Sequence, residues 1–264
     1  MGFLSDVVAQ VRRDLERSPL DEGALMARCL SLPPARDLAG ALRAGPAPAV
    51  VAEVKRASPS AGDIAEVDPR AQAAAYERAG AAAVSVLTEP RHFRGSLADL
   101  RSVHLATRLP VLRKDFLVHP SQLMESRAGG ADAALLIAAA LSPSELGGLL
   151  AAAEDLGLAA VVEAHGARDL EAALESGAGV IGVNARDLES LEVDEDRALE
   201  LLRTAPPDRV RMFESGISSR EQVERAVEAG AGAVLVGEAL MRAADPAAKL
   251  HELLGIAEPA GAER

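Results

Sequence analysis

Lysine is scarce in this chain. Only Lys55, Lys114 and Lys249 occur, so 25 of the 28 basic residues are arginine. Where a plain surface cation suffices, this protein uses Arg. A lysine inside an apolar segment therefore needs a reason, and the chemical one is that a compact ammonium can give up a proton where a guanidinium cannot. Lys55 and Lys114 both close such segments, AVVAEVK (49–55) and PVLRK (110–114). Three more segments end the same way: AAVVEA (159–164) carries Glu163, GVIGVN (179–184) carries Asn184, and RVRMFE (209–214) carries Glu214. Ammonium and carboxylate groups gathered in an apolar setting can pass protons to and from a substrate, and an amide can orient it. A purely structural role is the weaker reading, because buried ion pairs rarely add stability over apolar residues of the same volume.

A second set of residues fits an anion. Glu214 runs into Ser215-Gly216, and GAVLVG (232–237) runs into Glu238. Gly216 and Gly237 let backbone N–H groups approach a phosphate. At Glu238 the backbone, and not the carboxylate, would do the binding. Lys55, with Ser58 and Ser60 in the KRASPS loop, supplies counter-charge and hydroxyls. Phe93 and Phe116 follow two of the apolar segments in a chain that is only 2% aromatic, and they mark a place for an apolar or aromatic moiety.

These residues need a scaffold that brings segment ends together. Eight short apolar runs recur from residue 49: 49–55, 82–88, 110–114, 132–137, 159–164, 179–184, 209–214 and 232–237. Stretches of helical spacing, many closing on glycine, lie between them. Strands alternating with helices mean parallel pairing with crossovers, and strands apolar on both faces mean a sheet covered on both sides or closed on itself. An open doubly wound sheet and a (β/α)8 barrel both fit. Eight units favour the barrel, and no Gly-x-Gly-x-x-Gly follows the first strand. Side chains alternate along a strand, so Glu53 and Lys55 share one face, assigned to the bore. Each polar group then sits at the C-terminal end of its strand, where such barrels carry their active sites.

The division predicted is an N-terminal helical extension over 1–48, a catalytic α/β barrel over 49–258 and a C-terminal tail over 259–264. Leu4, Val7, Val8, Val11 and Leu15 fall on one face of a helix over 3–17. The extension covers one end of the barrel; it either stops there or also lines the substrate pocket. The net charge of −12 excludes a protein that binds nucleic acid or acidic membranes through a positive field. The longest apolar run, Ala133 to Leu141, falls far short of the ~20 residues of a membrane span. The N-terminus does not read as a signal peptide, and with Cys29 alone there is no intrachain disulfide, so a cytoplasmic location is expected. His92, His104, His119, His165 and His251 show no metal-ligand spacing and read as incidental.

The stretches AEVKRASPSAG (52–62), VSVLTEPRHFRGSLADL (84–100), PVLRKDF (110–116), ESRAGGADAALLI (125–137), VVEAH (161–165), GVNARDL (182–188), FESGI (213–217) and VLVGEALMRAADP (234–246) together resemble the indole-3-glycerol-phosphate synthase family. The resemblance runs in order through nearly all of 49–250, and the amphipathic N-terminus resembles the family's as well. It implies a (β/α)8 barrel that closes the ring of 1-(2-carboxyphenylamino)-1-deoxyribulose 5-phosphate. Carbon dioxide and water are lost and indole-3-glycerol phosphate is formed, on the way to tryptophan.

By the family pattern Lys114 is the general acid and Glu163 serves the later proton transfers. Glu53 sits against Lys114 and tunes it, while Lys55 holds phosphate or carboxylate and shares proton work. Burial near that second ammonium would ease loss of the Lys114 proton. Asn184 and Arg186 position the carboxylate and the ribulose chain. Glu214 and Ser215 line the bore, Ser58, Phe93, Phe116 and Leu188 complete the substrate site, and Gly216, Gly237 and Glu238 offer backbone to phosphate. The family needs no metal or organic cofactor and no partner beyond its small-molecule substrate; a monomer or weak homo-oligomer is expected. Ala61 departs from the lysine common in the Ser-Pro-Ser-x-Gly loop. The rival readings are another sugar-phosphate barrel enzyme, a Schiff-base lyase or an isomerase, and an inactive barrel serving as scaffold.

Overall fold

The computed structural model describes residues 2–45 and 48–256. Eight parallel strands close into a barrel in chain order: β1 (Ala49–Val54), β2 (Ala83–Leu87), β3 (Val111–Lys114), β4 (Ala133–Ile137), β5 (Ala159–Ala164), β6 (Val180–Asn184), β7 (Val210–Glu214) and β8 (Ala233–Val236), with β8 pairing back onto β1. The open doubly wound sheet is thereby ruled out. Between them run α4 (Pro69–Arg78), α5 (Leu97–Ala106), α6 (Pro120–Gly129), α7 (Pro143–Asp155), α8 (Ala167–Glu175), α9 (Glu195–Thr204) and α10 (Arg220–Glu228). The short α11 (Glu238–Arg242) and α12 (Pro246–Leu254) follow β8.

The sequence sets these boundaries locally. Asp68, Ser96, Ser142, Asp194, Ser219 and Asp245 each cap a helix by accepting from a backbone N–H of its first turn, and Pro69, Pro143 and Pro246 occupy first helical positions. Alternation along the strands then builds two cores. Outward residues such as Val50, Val84, Leu136, Val162, Ile181 and Val234 pack under the helices. Inward residues fill the lower bore, among them Val51, Ala83, Leu112, Leu135, Val161, Val180, Met212 and Leu235.

Before β1 the chain forms α1 (Phe3–Arg17), α2 (Glu22–Leu30) and α3 (Leu38–Ala44). These helices serve both ends of the barrel and not one. Leu4 and Val7 of α1 join the bore cluster from the C-terminal end, where Phe3 and Leu4 N–H groups bond to the carbonyls of Glu189 and Leu188. Leu38 and Leu42 of α3 join it from the opposite end, beside Ala49, Ala83 and Val210. Arg36 ties that lower end down by donating to the carbonyls of His104 and Leu109, and its N–H reaches Asp132. The expected tail over 259–264 lies outside the described residues. No described helix is long and apolar enough to cross a membrane.

Candidate active site

A cavity of about 340 Å³ opens at the C-terminal end of the bore. Its wall takes residues from the ends of β1, β3, β5, β6 and β7 and from the loops that follow. All the residues singled out in the sequence line it: Glu53, Lys55, Ser58, Phe93, Lys114, Phe116, Glu163, Asn184, Arg186, Leu188, Glu214, Ser215, Gly216, Gly237 and Glu238.

The barrel decides who meets whom. Inward side chains of a (β/α)8 barrel stack in layers, each layer drawn from alternate strands. Glu53, Lys114, Glu163 and Glu214 come from β1, β3, β5 and β7, so they form one ring across the bore. Lys114 Nζ bridges two of its neighbours, at 2.8 Å from Glu163 Oε2 and 2.8 Å from Glu214 Oε2. Glu53 does not sit against Lys114, as the family pattern led us to expect. Its Oε1 instead pairs with Lys55 Nζ at 2.8 Å, because alternation along one strand puts those two residues side by side. Glu53 acts on Lys114 only through its charge.

Glycine makes room for the ring. Gly182 lies on the inward face of β6, and a Cβ there would come within 2.1 Å of Glu214 Oε1. A Cβ on Gly237 would come within 2.3 Å of Glu53 Oε1 and 3.0 Å of Lys55 Nζ. Gly237 therefore holds open the space beside the Glu53–Lys55 pair as well as baring its own backbone. Ser215 has φ +69, a left-handed conformation uncommon for a residue with a side chain, and Gly216 continues at φ +83.

The charges in the ring are displaced from their usual behaviour. Burial alone would push the Lys114 ammonium toward losing its proton, but the carboxylates of Glu163, Glu214 and Glu53 outweigh burial and raise its pKa above the ordinary lysine range. This runs against the expectation that Lys114 gives up its proton easily: the charges that act on it most are carboxylates. Burial and the nearby charge of Glu163 raise the Glu214 carboxyl to about 7 against the pull of Lys114. Glu163 goes the other way. Lys114, and after it His165, overcome burial and hold the Glu163 carboxyl well below its usual range. Two carboxylates on one ammonium are thus driven apart, one ionised and one close to holding a proton at neutrality.

The ring also has free valences. Glu53 Oε2, Glu163 Oε1 and Glu214 Oε1 are buried without a hydrogen-bond partner among the described residues. Buried polar atoms are normally satisfied, so Glu53 Oε2 and Glu214 Oε1 are placed for something that enters the cavity, while Glu163 Oε1 faces the His165 ring. Asn184 Oδ1 accepts from the Arg186 N–H at 2.9 Å, which turns the amide NH2 into the group left to donate. Arg186 spends one guanidinium nitrogen on the Leu191 carbonyl at 2.8 Å. Above the ring, Phe93 and Phe116 lie 6.3 Å apart at a tilt, and Phe3 meets Phe116 edge-on at 6.1 Å. The result is an aromatic shelf over a charged floor. Among the described residues no three His, Cys, Asp or Glu side chains are placed to hold a metal ion.

Three contributors escaped the sequence reading. Phe3 lines the cavity, so the extension does more than cover an end, but nothing local marks a residue so distant in sequence from the rest of the site. Gly182 was legible in principle, since it shares a face with Asn184. His165 is not incidental: its Nε2 lies 3.2 Å from Glu163 Oε1. The signal was the same alternation, which puts residue 165 on the face of residue 163.

The model of the family described as indole-3-glycerol phosphate synthase matches residues 4–253. An indole-3-glycerol phosphate synthase of Micrococcus luteus is 49% identical, over 93% of this chain and 94% of its own length. One from Rhodococcus jostii is 46% identical over 96% and 95%. Among solved structures, a 3-hexulose-6-phosphate synthase superposes with a TM-score of 0.63 at 18% identity, covering 79% of this chain and 99% of its own. A mutant tryptophan synthase α-subunit of Pyrococcus furiosus gives 0.61 at 19%, covering 79% and 98%. At those identities the two structures speak for the barrel fold alone.

Proposed function

The chain belongs to the indole-3-glycerol phosphate synthase family, and on that premise we propose that its upper bore closes the indole ring with Lys114 as the acid, served on either side by Glu163 and Glu214. The substrate in this reading is 1-(2-carboxyphenylamino)-1-deoxyribulose 5-phosphate. Its anthranilate ring rests on Phe3, Phe93 and Phe116, where apolar burial drives binding. Its carboxylate meets Arg186 and the Asn184 amide. Its phosphate lies toward Lys55, Ser58 and the backbone of Gly216, Gly237 and Glu238.

Ring closure joins the carboxylate-bearing aromatic carbon to the ribulose carbonyl carbon. Lys114 gives its proton to the carbonyl oxygen as that bond forms. The carboxylate then leaves as CO2, and its bonding pair restores the aromatic ring. The new hydroxyl departs as water after taking a second proton, and the adjacent carbon loses one to complete the indole. One proton is taken up overall, because an anionic carboxylate leaves as a neutral gas. The ring of charges matches that need. Lys114 starts protonated, Glu163 starts ionised and can accept the carbon-bound proton, and Glu214, poised near neutrality, can return a proton to Lys114.

The observation that carries this reading is the bridging of Lys114 between two glutamates under an aromatic shelf. It also weighs against a Schiff-base lyase, whose lysine must be neutral to attack a carbonyl. A charged, phosphorylated substrate does not cross a membrane unaided, which supports a cytoplasmic location. The direct test is indole fluorescence on mixing protein with the carboxyphenylamino deoxyribulose phosphate, beside Lys114→Ala. A rise with the wild type that is lost in the variant supports the assignment. A rise in both moves the acid to Lys55, and no rise with folded wild type refutes the substrate.

A further inference from the structure

His165 stands immediately beyond β5, buried, with its ring between the site and α8. Its Nε2 is 3.2 Å from Glu163 Oε1, the oxygen that Lys114 leaves alone. Its Nδ1 is 3.9 Å from Asp169 Oδ2 on α8. Neither ring nitrogen completes a hydrogen bond among the described residues, and neither does Glu163 Oε1, so the contact between them is one of proximity and charge. An imidazole kept only for packing would be better replaced by an apolar side chain, since burying unpaired polar atoms costs free energy. Nor does the ring cap α8: Asp169 does that, accepting the N–H groups of His165 and Gly166 at 3.0 and 3.2 Å. What the ring does have is a carboxylate on each side.

We propose that His165 is a positioning residue for Glu163, its Nε2 holding the carboxylate oxygen that Lys114 does not take while Asp169 steadies the ring from behind. The proposal rests on the reading that Glu163 moves protons in ring closure. An outer partner of this kind fixes the rotamer of the group that touches substrate and sets its charge. A 3.2 Å contact that is not fully aligned is typical of catalytic groups that tighten when substrate binds. The groups facing the imidazole are Glu163 on β5, Asp169 on α8, Glu214 on β7 and Asp187 in the loop after β6. Burial opposes the imidazolium, and the surrounding carboxylates, Glu163 first, overcome it and raise its pKa. A cationic His165 then helps keep Glu163 ionised.

The test compares His165→Leu, His165→Gln, Glu163→Gln and the double variant His165→Leu/Glu163→Gln on the carboxyphenylamino deoxyribulose phosphate. Expected for His165→Leu is a fall in kcat of roughly ten- to a hundredfold at nearly constant KM. The acid limb of its kcat–pH profile should move to higher pH, because a group that holds Glu163 ionised is gone. His165→Gln, which can place a donor near the Nε2 position, should recover most of the rate. In the Glu163→Gln background, His165→Leu should cost little more. Wild-type kcat and pH profile in His165→Leu, or fully additive losses in the double variant, would overturn the proposal. A second measurement needs neither folding of the leucine variant nor activity: the carbon-bound imidazole proton of His165 is titrated by NMR in wild type and in Glu163→Gln. A pKa that drops in Glu163→Gln supports the pairing, and an unchanged one refutes it. Should the wild type itself not turn over this substrate, the functional reading fails, while this titration still decides the role of His165.

Discussion

Arg113 and Lys114 are neighbouring cations on β3, the first buried and the second half-buried at the cavity, and they could hardly be treated more differently. Arg113 points out through the barrel wall. Its guanidinium donates to Thr88 Oγ1, the Gln122 carbonyl, Glu125, Ser126 Oγ and Asp115, at 2.9–3.2 Å. No side-chain atom in that cluster is left buried without a partner among the described residues. Lys114 points in and meets two glutamates, and the ring around it leaves Glu53 Oε2 and Glu214 Oε1 without a partner among the described residues. A closed polar network rigidifies a wall, whereas an open one stores interactions for a ligand. The difference between structure and site is one of saturation, and one step along a strand suffices to cross it.

The sharpest way to break that comparison is to remove each cation in turn. Lys114→Met should lower kcat by about a thousandfold or more, measured by product fluorescence. Its melting temperature should move by only a few degrees, since Glu214 can take up a proton when the ammonium goes. Arg113→Met should do the reverse: Asp115 and Glu125 lose their partner, which costs on the order of 3–5 kcal/mol and roughly 10 °C of Tm by calorimetry. Equal Tm losses in the two variants would erase the distinction. Next in size is Gly182→Ala, whose new methyl would displace the Glu214 carboxylate from the ring. It should cost about a hundredfold in kcat with a smaller change in KM.

Phe3→Ala tests the aromatic shelf; KM should rise several-fold in steady-state assays while kcat stays within about twofold. Glu214→Gln sharpens the electrostatic reading. The folded-state pKa of Glu214 is raised to about 7 from 4.5, so its favourable contribution is present below pH 4.5 and is lost as pH rises through 7. The variant should therefore gain a few degrees of Tm relative to wild type on going from pH 5 to pH 8, and no relative gain would contradict the shift. The smallest effect is expected at the tip of the Ala57–Ser58/Gly62–Asp63 hairpin. Ala61→Lys restores a cation near the cavity entrance and should lower KM by about threefold or less; an unchanged KM would remove that residue from the account.

Most of the architecture was legible along the chain. The eight runs became the eight strands to within a residue or two, because strands apolar on both faces announce themselves as continuous runs. The helix over 3–17 followed from one apolar stripe, and the glycine and capping residues marked the other helices. At the site, alternation sent Glu53, Lys55, Lys114, Glu163, Asn184 and Glu214 inward. It would have sent His165 and Gly182 there too, had the pattern been followed past the charged residues. What could not be read was any contact between segments distant in sequence. Phe3 reaches the shelf only because α1 docks on the loop after β6, and a single helix stripe served by two packing partners looks the same whichever end of a barrel it covers.

The sequence by itself determined the periodicities, and through them the fold and the inward face of each polar residue. Those are local properties, set by where successive Cβ atoms point. Only the tertiary structure decided the pairings. The stagger of a closed barrel draws each layer from alternate strands, so Lys114 found Glu163 and Glu214 two strands to one side and four strands away, and Glu53 was left to Lys55. Proton affinity follows from those pairings and not from composition. That is why a lysine whose sequence context pointed to easy proton loss is held instead as a firm ammonium between two carboxylates.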